Sequence, residues 1–135
     1  MTSDAVVDDA LVRSAFRVMG VLTRVGAAHD LSLTQLRVLG ILRDRRLRMT
    51  ELAGYLGLDK STMSGLVDRA ERRGLLARDR NPGDKRVVDV FITPAGLELA
   101  DRVQAEIQRD LAPATGRLDP RQREQLAGLL ELVLA

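Results

Sequence analysis

The segment from residue 50 to residue 96 constrains the fold of this chain more than any other part of the sequence. Its first half, TELAGYLGLDKSTMSGLVDRAERRG, contains two short stretches of helical periodicity separated by Gly57 and Asp59. Glycine ends a helix in the left-handed conformation, and an aspartate side chain caps the start of the next helix. Two helices joined by such a short glycine-containing turn define a helix–turn–helix.

The second half of the segment, LLARDRNPGDKRVVDVFITPAG, changes to the period-two pattern of a β-strand. The apolar residues Val88, Val90 and Ile92 fall on one face of such a strand, and Val87, Asp89 and Phe91 fall on the other. The sequence Asn81-Pro82-Gly83-Asp84 is a turn signal that separates this strand from LLARDR. The two halves together predict a winged helix–turn–helix, with the hairpin as the wing.

The chain before this segment predicts two more helices. Residues 5–28 are apolar-rich and contain no proline, and Ser32 with Gln35 matches a capping box that opens the second helix. A short extended pairing segment is predicted at Leu47, and Thr50 is predicted to cap the first helix of the helix–turn–helix.

The chain after the wing predicts a return to helix. Thr93-Pro94 combines a cap with a first-turn proline and opens a helix to about Asp110, and Asp119-Pro120 repeats this signature before a last helix. The predicted fold class is therefore mainly α with a small β-hairpin wing.

Composition excludes several classes of protein. A chain of 135 residues is expected to form one compact unit. No cysteine is present and His29 is the only histidine, so disulfides, thiol chemistry and an ordinary zinc site are excluded. No apolar run has the length of a membrane span, and the acidic start is not a signal peptide, which predicts a soluble cytoplasmic protein. The sequence shows no nucleophile–base pair, phosphate loop or metal cluster, so it does not predict an enzyme, and no cofactor is expected.

The charge distribution is more informative than the net charge of +2. Residues 43–86 carry 12 Lys/Arg against 7 Asp/Glu, a local charge of +5, whereas the rest of the chain has a charge of −3. A basic middle between acidic flanks is typical of a single phosphate-facing surface. A solvated surface with chance asymmetry is the alternative interpretation.

The second helix of the helix–turn–helix, residues 59–73, is predicted to enter a DNA major groove. Its core face is Met63, Leu66, Val67 and Ala70, and its opposite side begins with small hydroxylated residues that suit base edges. Gly65 indicates either a close approach of backbone to DNA or a position without constraint, and Asp68 predicts that the helix rises away from phosphate there. The predicted DNA-contacting residues of this helix are Lys60, Ser61, Thr62, Ser64, Gly65, Arg69 and Arg72.

The wing supplies a second set of predicted DNA contacts at Arg78, Lys85 and Arg86. Arginine suits insertion into a narrow minor groove, where the potential is most negative. Asp84 is predicted to orient Arg86 through a charge-assisted hydrogen bond. A solvated hairpin that only blocks edge pairing is the alternative.

The order and spacing of these elements resemble the MarR family of bacterial transcription regulators. The resemblance rests on LSLTQLRVLGIL, on TELAGYLGLDKSTMSGLVDRAERRGLLAR and on DKRVVDVFITPAG, in which Asp84 and Arg86 match the family's Asp-x-Arg wing element. Glycine at position 65 departs from the larger polar or basic residue that members often carry. The absence of cysteine and of a histidine cluster excludes the peroxide-sensing and zinc-responsive branches.

The resemblance implies a homodimer that reads double-stranded DNA through two winged segments. Residues 1–31 and 94–135 would form the helical dimerisation region, and residues 32–93 the winged helix–turn–helix. A small lipophilic or aromatic effector would bind between them, with His29, Arg17 and Arg37 as the nearby groups able to meet an anion. Terminal helices this apolar independently favour dimerisation, since one small winged domain cannot cover them.

Two functional hypotheses follow from these observations. The first is a homodimeric, sequence-specific repressor that a small ligand releases from DNA. The alternative is a winged-helix protein-interaction module that no longer binds DNA. On that hypothesis Gly65 and Asp68 would indicate that the second helix of the helix–turn–helix has lost its DNA contacts.

Overall fold

The computed structural model of the protein describes residues 2–135, which form six helices around a small three-stranded sheet. The elements in chain order are α1 (Ser3–Ala28), α2 (Leu33–Leu42), β1 (Leu47–Arg48), α3 (Met49–Leu56), α4 (Lys60–Arg72), β2 (Leu76–Asn81), β3 (Asp84–Ile92), α5 (Pro94–Thr115) and α6 (Pro120–Leu134). The predicted fold class, mainly α with a hairpin wing, is confirmed.

Local capping signals place most helix boundaries where the sequence predicted them. The backbone N–H of Gln35 donates to Ser32 Oγ at 3.1 Å, and the N–H of Ser32 donates to Gln35 Oε1 at 2.8 Å, which completes the predicted capping box of α2. Asp119 and Gln122 repeat this arrangement at the start of α6. Gly57 ends α3 with φ of 64°, a left-handed conformation that favours glycine.

The start of α3 differs from the prediction that Thr50 is its cap. The N-cap is Arg48, and the Glu51 carboxylate accepts a hydrogen bond from the Arg48 backbone N–H at 3.1 Å. Thr50 lies in the first helical turn. The reason is tertiary, because β1 pairs with β3 at Leu47 and Val90 and thereby fixes where the chain can begin to coil. The predicted pairing segment at Leu47 is confirmed.

The sheet is antiparallel with strand order β1-β3-β2, so β3 is the central strand. The prediction of simple alternation along β3 is only partly correct. Val90 is fully buried, yet Val88 is 43% exposed and Asp89 is buried. Because β3 has a neighbouring strand on each edge, a polar side chain on it can be buried, and the contacts that allow the burial of Asp89 are described below.

Helix α5 continues past the predicted end near Asp110 and terminates after Thr115. Pro113 lies within its last turn, where it removes one backbone donor. The turn is nevertheless closed, because the N–H of Gly116 donates to the Ala112 carbonyl at 2.7 Å and Thr115 Oγ1 donates to the Leu111 carbonyl at 3.2 Å. The proline therefore shortens the hydrogen-bond ladder without ending the helix.

The core joins the C-terminal part of α1 to α2, α3, α4, the sheet and the first half of α5. Its largest fully buried side chains are Leu42, Leu52, Met63, Leu76, Val38, Val67 and Val90. Helix α6 contributes no buried residue. Among residues 2–135, no helix combines the length and the apolar character that a membrane span needs.

Candidate nucleic-acid interface

Helix α4 is held in place by its apolar side and capped by Asp59. The Thr62 backbone N–H donates to Asp59 Oδ1 at 2.7 Å, and this bond is the main reason that the pKa of Asp59 lies below its ordinary value. The predicted core face is confirmed, because all four of its members are buried: Met63, Leu66, Val67 and Ala70. The other side of α4 is consequently directed to solvent.

The residues of α4 predicted to contact DNA lie on the solvent-facing side or at its shoulders. The exposed ones are Lys60, Ser61, Thr62, Arg69 and Arg72, and the half-buried ones are Ser64 and Gly65. A Cβ atom at Gly65 would contact only Arg69 Nη1, at an ordinary 3.5 Å. Packing within the chain therefore does not require glycine there. Contact between these residues and DNA stays a prediction.

Asp68 and Glu71 of α4 both bind Arg78 of β2. Arg78 Nη2 donates to Asp68 Oδ1 at 2.5 Å, and Arg78 Nε donates to Glu71 Oε2 at 3.3 Å. Hydrogen bonding to Glu71, and then to Asp68, raises the pKa of Arg78, so the guanidinium stays charged. Contact between Arg78 and DNA stays a prediction, and two carboxylates of α4 compensate the charge of Arg78. Arg78 fastens α4 to the wing.

The tip of the wing is an irregular hairpin. Strands β2 and β3 are joined by Pro82-Gly83, and the register pairs Arg80 with Val88 but Asn81 with Asp84. Three residues of β3, at positions 85–87, therefore have no partner on β2. Such a bulge bends the strand and redirects its side chains. Two of the three bulged residues are basic.

Arg86 lies in this bulge and is directed into solvent. Its side chain is 90% exposed, and its Nε donates to Asp84 Oδ1 at 3.1 Å. The same carboxylate oxygen accepts the Arg86 backbone N–H at 3.1 Å. These bonds lower the pKa of Asp84 and satisfy a backbone donor that the bulge leaves without a partner strand. The expected hydrogen bond between Arg86, as donor, and Asp84, as acceptor, is present. The roles of Asp84, Lys85 and Arg86 in binding DNA stay predictions.

Asp89 is a structural feature of the wing that the sequence analysis missed. It is only 3% exposed, and its carboxylate accepts hydrogen bonds from Arg46 Nε at 2.8 Å and from Asn81 Nδ2 at 3.0 and 3.1 Å. Hydrogen bonding to Asn81, and then to Arg46, lowers the pKa of Asp89 and keeps it ionised. An aspartate inside the apolar run VVDVFI was the available signal, since an acidic residue in a central strand needs a partner.

A cavity of about 550 Å³ lies between the first helices and α5. Aliphatic side chains line most of it, among them Met19, Leu22, Leu36, Leu39, Val103 and Ile107. Arg37, Arg43, Thr34 and Gln104 are the polar side chains in its wall. Of the three groups suggested for an anionic ligand, Arg37 lines the cavity, whereas Arg17 and His29 do not. Arg43 was missed, and it is paired with Asp101 at 2.7 Å.

A second polar connection links the end of α4 to α1 and α5. Arg73 donates through Nη1 to the Asp30 carbonyl at 2.8 Å and through Nη2 to the His29 carbonyl at 3.0 Å. The His29 ring is hydrogen-bonded to Glu106 of α5 at 2.5 Å. This cluster, in which His29 and Glu106 are half-buried and Arg73 is exposed, ties the end of α4 to α1 and α5, the two longest helices of the chain.

Comparisons with known proteins identify relatives for this arrangement. The model of the MarR family matches residues 29–87. The regulator YkoM of Bacillus subtilis, described as an uncharacterised HTH-type transcriptional regulator, is 30% identical over 104 residues, which cover 76% of this chain and 68% of YkoM. The homoprotocatechuate degradative operon repressor of Escherichia coli is 25% identical over 127 residues, covering 93% of this chain and 86% of the repressor. The chain spans about half, 51%, of a further relative from Thauera aromatica that is 31% identical.

Solved structures extend the similarity over nearly the whole chain. BpsR of Bordetella bronchiseptica, in a structure concerned with regulation of its DNA binding by 6-hydroxynicotinic acid, aligns with a TM-score of 0.74 and 26% identity. The alignment covers 94% of this chain and 91% of BpsR. The helices outside the winged segment are therefore shared with a known fold as well.

Proposed function

This chain belongs to the MarR family of transcriptional regulators, and on that premise we propose that it is a homodimeric, sequence-specific DNA-binding repressor released by a small molecule. The family consists of transcriptional regulators and not of enzymes. Within the proposal, α4 enters the major groove and the wing reaches the adjacent minor groove. The observation that carries it is Arg86, 90% exposed at a bulged basic tip beside a helix with a small, solvent-facing N-terminal side.

The charges at the interface support the wing as its main electrostatic element. Two carboxylates of α4 compensate the charge of Arg78. Arg86 is paired with a single carboxylate, that of Asp84, and extends into solvent. A charged group reaching a narrow minor groove benefits from the most negative potential of the duplex. The neutral start of α4, from Ser61 to Gly65, allows a close approach to base edges in the major groove.

The terminal helices support the homodimer. On α6, Leu126, Leu129, Leu130 and Val133 form an apolar stripe at helical spacing, with exposed fractions between 38% and 61%. A surface of this kind on one chain marks an interaction site. We assign residues 1–31 and 94–135 to dimerisation and residues 32–93 to DNA binding. Two-fold symmetry would then place two winged segments on two half-sites.

The cavity supports regulation by a ligand. Its volume of about 550 Å³ and its aliphatic wall suit a small lipophilic or aromatic molecule, and Arg37 offers a cation for an acidic group. The cavity is bounded by α1, α2, α3 and α5, so it lies where the proposed dimerisation helices meet the winged segment. A ligand that binds one spacing of the two recognition helices more tightly would shift the population away from the DNA-binding form.

The decisive experiment is binding to a duplex selected from a random pool. The wild-type chain should bind with an affinity that falls steeply as salt concentration rises, because Lys and Arg displace counterions from phosphate. Arg86→Ala should weaken binding roughly ten-fold, the loss expected for a charged hydrogen bond. It should also reduce the salt slope by about one.

The matched control is Arg102→Ala on α5, which removes the same charge from an exposed position outside the proposed DNA-contacting surface. Analytical ultracentrifugation should show that this variant stays dimeric, since residues 94–135 are assigned to dimerisation. Equal losses in the two variants would contradict the wing assignment. Failure of the wild type to select any duplex at low salt would favour the protein-interaction alternative. One ground for that alternative has weakened, because the carboxylate of Asp68 is bound to Arg78.

A further inference from the structure

Asp89 is a buried ionised residue inside the wing, at the centre of the sheet. Its side chain is 4% exposed, against 35% for Asp84 at the hairpin tip. Burying a charge is costly unless it is paired and hydrogen-bonded. Asp89 meets that condition completely, because Arg46 and Asn81 together donate to both of its oxygens. An apolar residue would fill a central strand without this requirement, so the carboxylate calls for a specific explanation.

The partners of Asp89 connect it to the bulge. Asn81 Nδ2 donates to Asp89, while Asn81 Oδ1 accepts the backbone N–H groups of Gly83 at 2.8 Å and Asp84 at 3.1 Å. One amide side chain therefore spans the irregular part of the hairpin. On the far side, Asp84 holds the backbone and the side chain of Arg86.

Arg46 connects the same carboxylate to the body of the protein. Its Nη2 donates to the Arg80 carbonyl at 3.2 Å, and its guanidinium lies 4.8 Å from the centroid of the Phe91 ring. Arg46 belongs to the connection between α2 and β1. The hydrogen-bonded series thus runs from Arg46, in the connection between α2 and β1, through Asp89 and Asn81 to the tip of the wing.

We propose that Asp89 is the positioning residue of the wing: through Asn81 it fixes the bulged tip in the shape that presents Arg86 to DNA. The proposal rests on the proposed function for the contact itself. Its physical basis is preorganisation, because a tip that is already ordered loses less conformational freedom when it binds. Asp89 does not touch DNA, and its effect is transmitted by two side chains.

A double-mutant cycle on duplex binding tests the proposal. Asp89→Asn removes the charge with little change of shape, and we expect it to weaken binding about ten-fold through loss of charged hydrogen bonds. In an Arg86→Ala background the same substitution should change affinity less than two-fold, since the contact that it positions is gone. Equal effects in both backgrounds, or no effect in the wild-type background, would overturn the proposal.

Asp79→Asn is the matched control. Asp79 is the cross-strand partner of Asp89, but among residues 2–135 its side chain accepts only the N–H of its neighbour Arg80. It should leave affinity unchanged. If Asp89→Asn does not fold, Asn81→Ala replaces it in the cycle, because Asn81 lies at the hairpin surface and one link nearer the tip. The same criterion of coupling to Arg86 then decides.

Amide hydrogen exchange in the protein without DNA separates this proposal from the function on which it rests. The N–H groups of Gly83 and Asp84 should exchange slowly in the wild type and in Asp79→Asn, and markedly faster in Asp89→Asn and Asn81→Ala. Unchanged protection would refute the positioning role even if the protein binds DNA. Lost protection in a protein that binds no duplex would leave the ordering role intact and refute the DNA-binding function.

Discussion

The winged segment buries or half-buries most of its apolar side chains, whereas the C-terminal helix exposes its own. In residues 32–93 the leucines and valines of the core are enclosed, and Leu52, Val67 and Val90 have no exposed surface. On α6 no residue is buried, and Leu132 is 75% exposed. Both helices of the helix–turn–helix are shorter than α6, so the contrast does not come from element length.

This difference indicates that the two regions complete their folding in different ways. The winged segment buries its apolar face against other elements of the same chain, which gives a defined shape to the surface that we propose for DNA. The α6 stripe, Leu126, Leu129, Leu130 and Val133, finds no such cover within residues 2–135. Burying it against a second copy would supply both the missing stability and the two-fold arrangement that a palindromic site requires.

The largest expected effect comes from breaking the α6 stripe. Leu130→Glu places a charge in the proposed dimer interface, where a buried carboxylate without a partner is strongly unfavourable. We expect a monomer by analytical ultracentrifugation. Because a dimer gains from having two linked contacts, binding to a two-half-site duplex should weaken by about 10²- to 10⁴-fold.

Leu132→Glu on the same helix is the matched control, since Leu132 lies off the stripe and is 75% exposed. It should remain dimeric and retain most of its affinity. A monomeric wild type, or a Leu130→Glu variant that stays dimeric with full affinity, would contradict the assignment of α6 to dimerisation.

The second prediction concerns Gly96, where α5 meets the winged segment. A Cβ atom there would lie 2.0 Å from the Leu75 carbonyl oxygen and 2.8 Å from Ile92 Cγ1. Thr93 holds this approach by donating from Oγ1 to the Gly74 carbonyl and from its backbone N–H to the Leu75 carbonyl. Gly96→Ala should lower the free energy of unfolding by about 1–3 kcal/mol or more, as forced overpacking does. Denaturant titration measures it.

Gly128→Ala on α6 provides the comparison, because beyond the chain neighbours and the backbone of its own helix no atom of residues 2–135 lies within 4 Å of a Cβ atom at Gly128. Alanine in that helix should raise the free energy of unfolding by roughly 0.5–1 kcal/mol. A lower free energy of unfolding in Gly96→Ala beside a higher one in Gly128→Ala would locate the close approach at the junction with α5. A higher free energy of unfolding in both variants would show that the junction tolerates a side chain and is looser than its geometry implies.

The sequence predicted the features that local interactions determine. The Ser32 and Asp119 caps, the αL residue Gly57 and the core face of α4 each depend on residues within a few positions along the chain. Thr50 was a wrong cap because the pairing of Leu47 with β3 sets the start of α3 from a distance. A helix end that is set by contacts with a distant strand could therefore not be predicted from the local sequence.

The same limit applies to the candidate site. The basic wing and the hydrogen bond that Arg86 donates to Asp84 could be predicted, because those two residues are two positions apart. The compensation of Arg78 by Asp68 depends on residues ten positions apart, and the burial of Asp89 depends on Arg46, 43 positions away. The sequence therefore identified the contact between near neighbours in the chain and missed the contacts between residues that are distant in it.

The smallest expected effect is at Gly65, on the side of α4 that faces solvent. Alanine at this position should raise the free energy of unfolding by about 0.5–1 kcal/mol, since its Cβ would make only an ordinary contact with Arg69 and glycine is unfavourable within a helix. If the backbone of α4 lies against base edges, the added methyl group should at the same time weaken binding to the selected duplex. Denaturant titration and duplex binding on the same preparation measure the two effects.

Gly128→Ala distinguishes the two interpretations of Gly65, because it should give a similar gain in stability at a position away from the proposed DNA surface. Gly65→Ala with higher stability and lower affinity, beside Gly128→Ala with higher stability and unchanged affinity, would place the α4 backbone close to the groove. A gain in stability with unchanged affinity in both variants would show that position 65 is unconstrained. DNA recognition would then depend more heavily on the wing, and the Arg86→Ala loss should account for most of the electrostatic contribution.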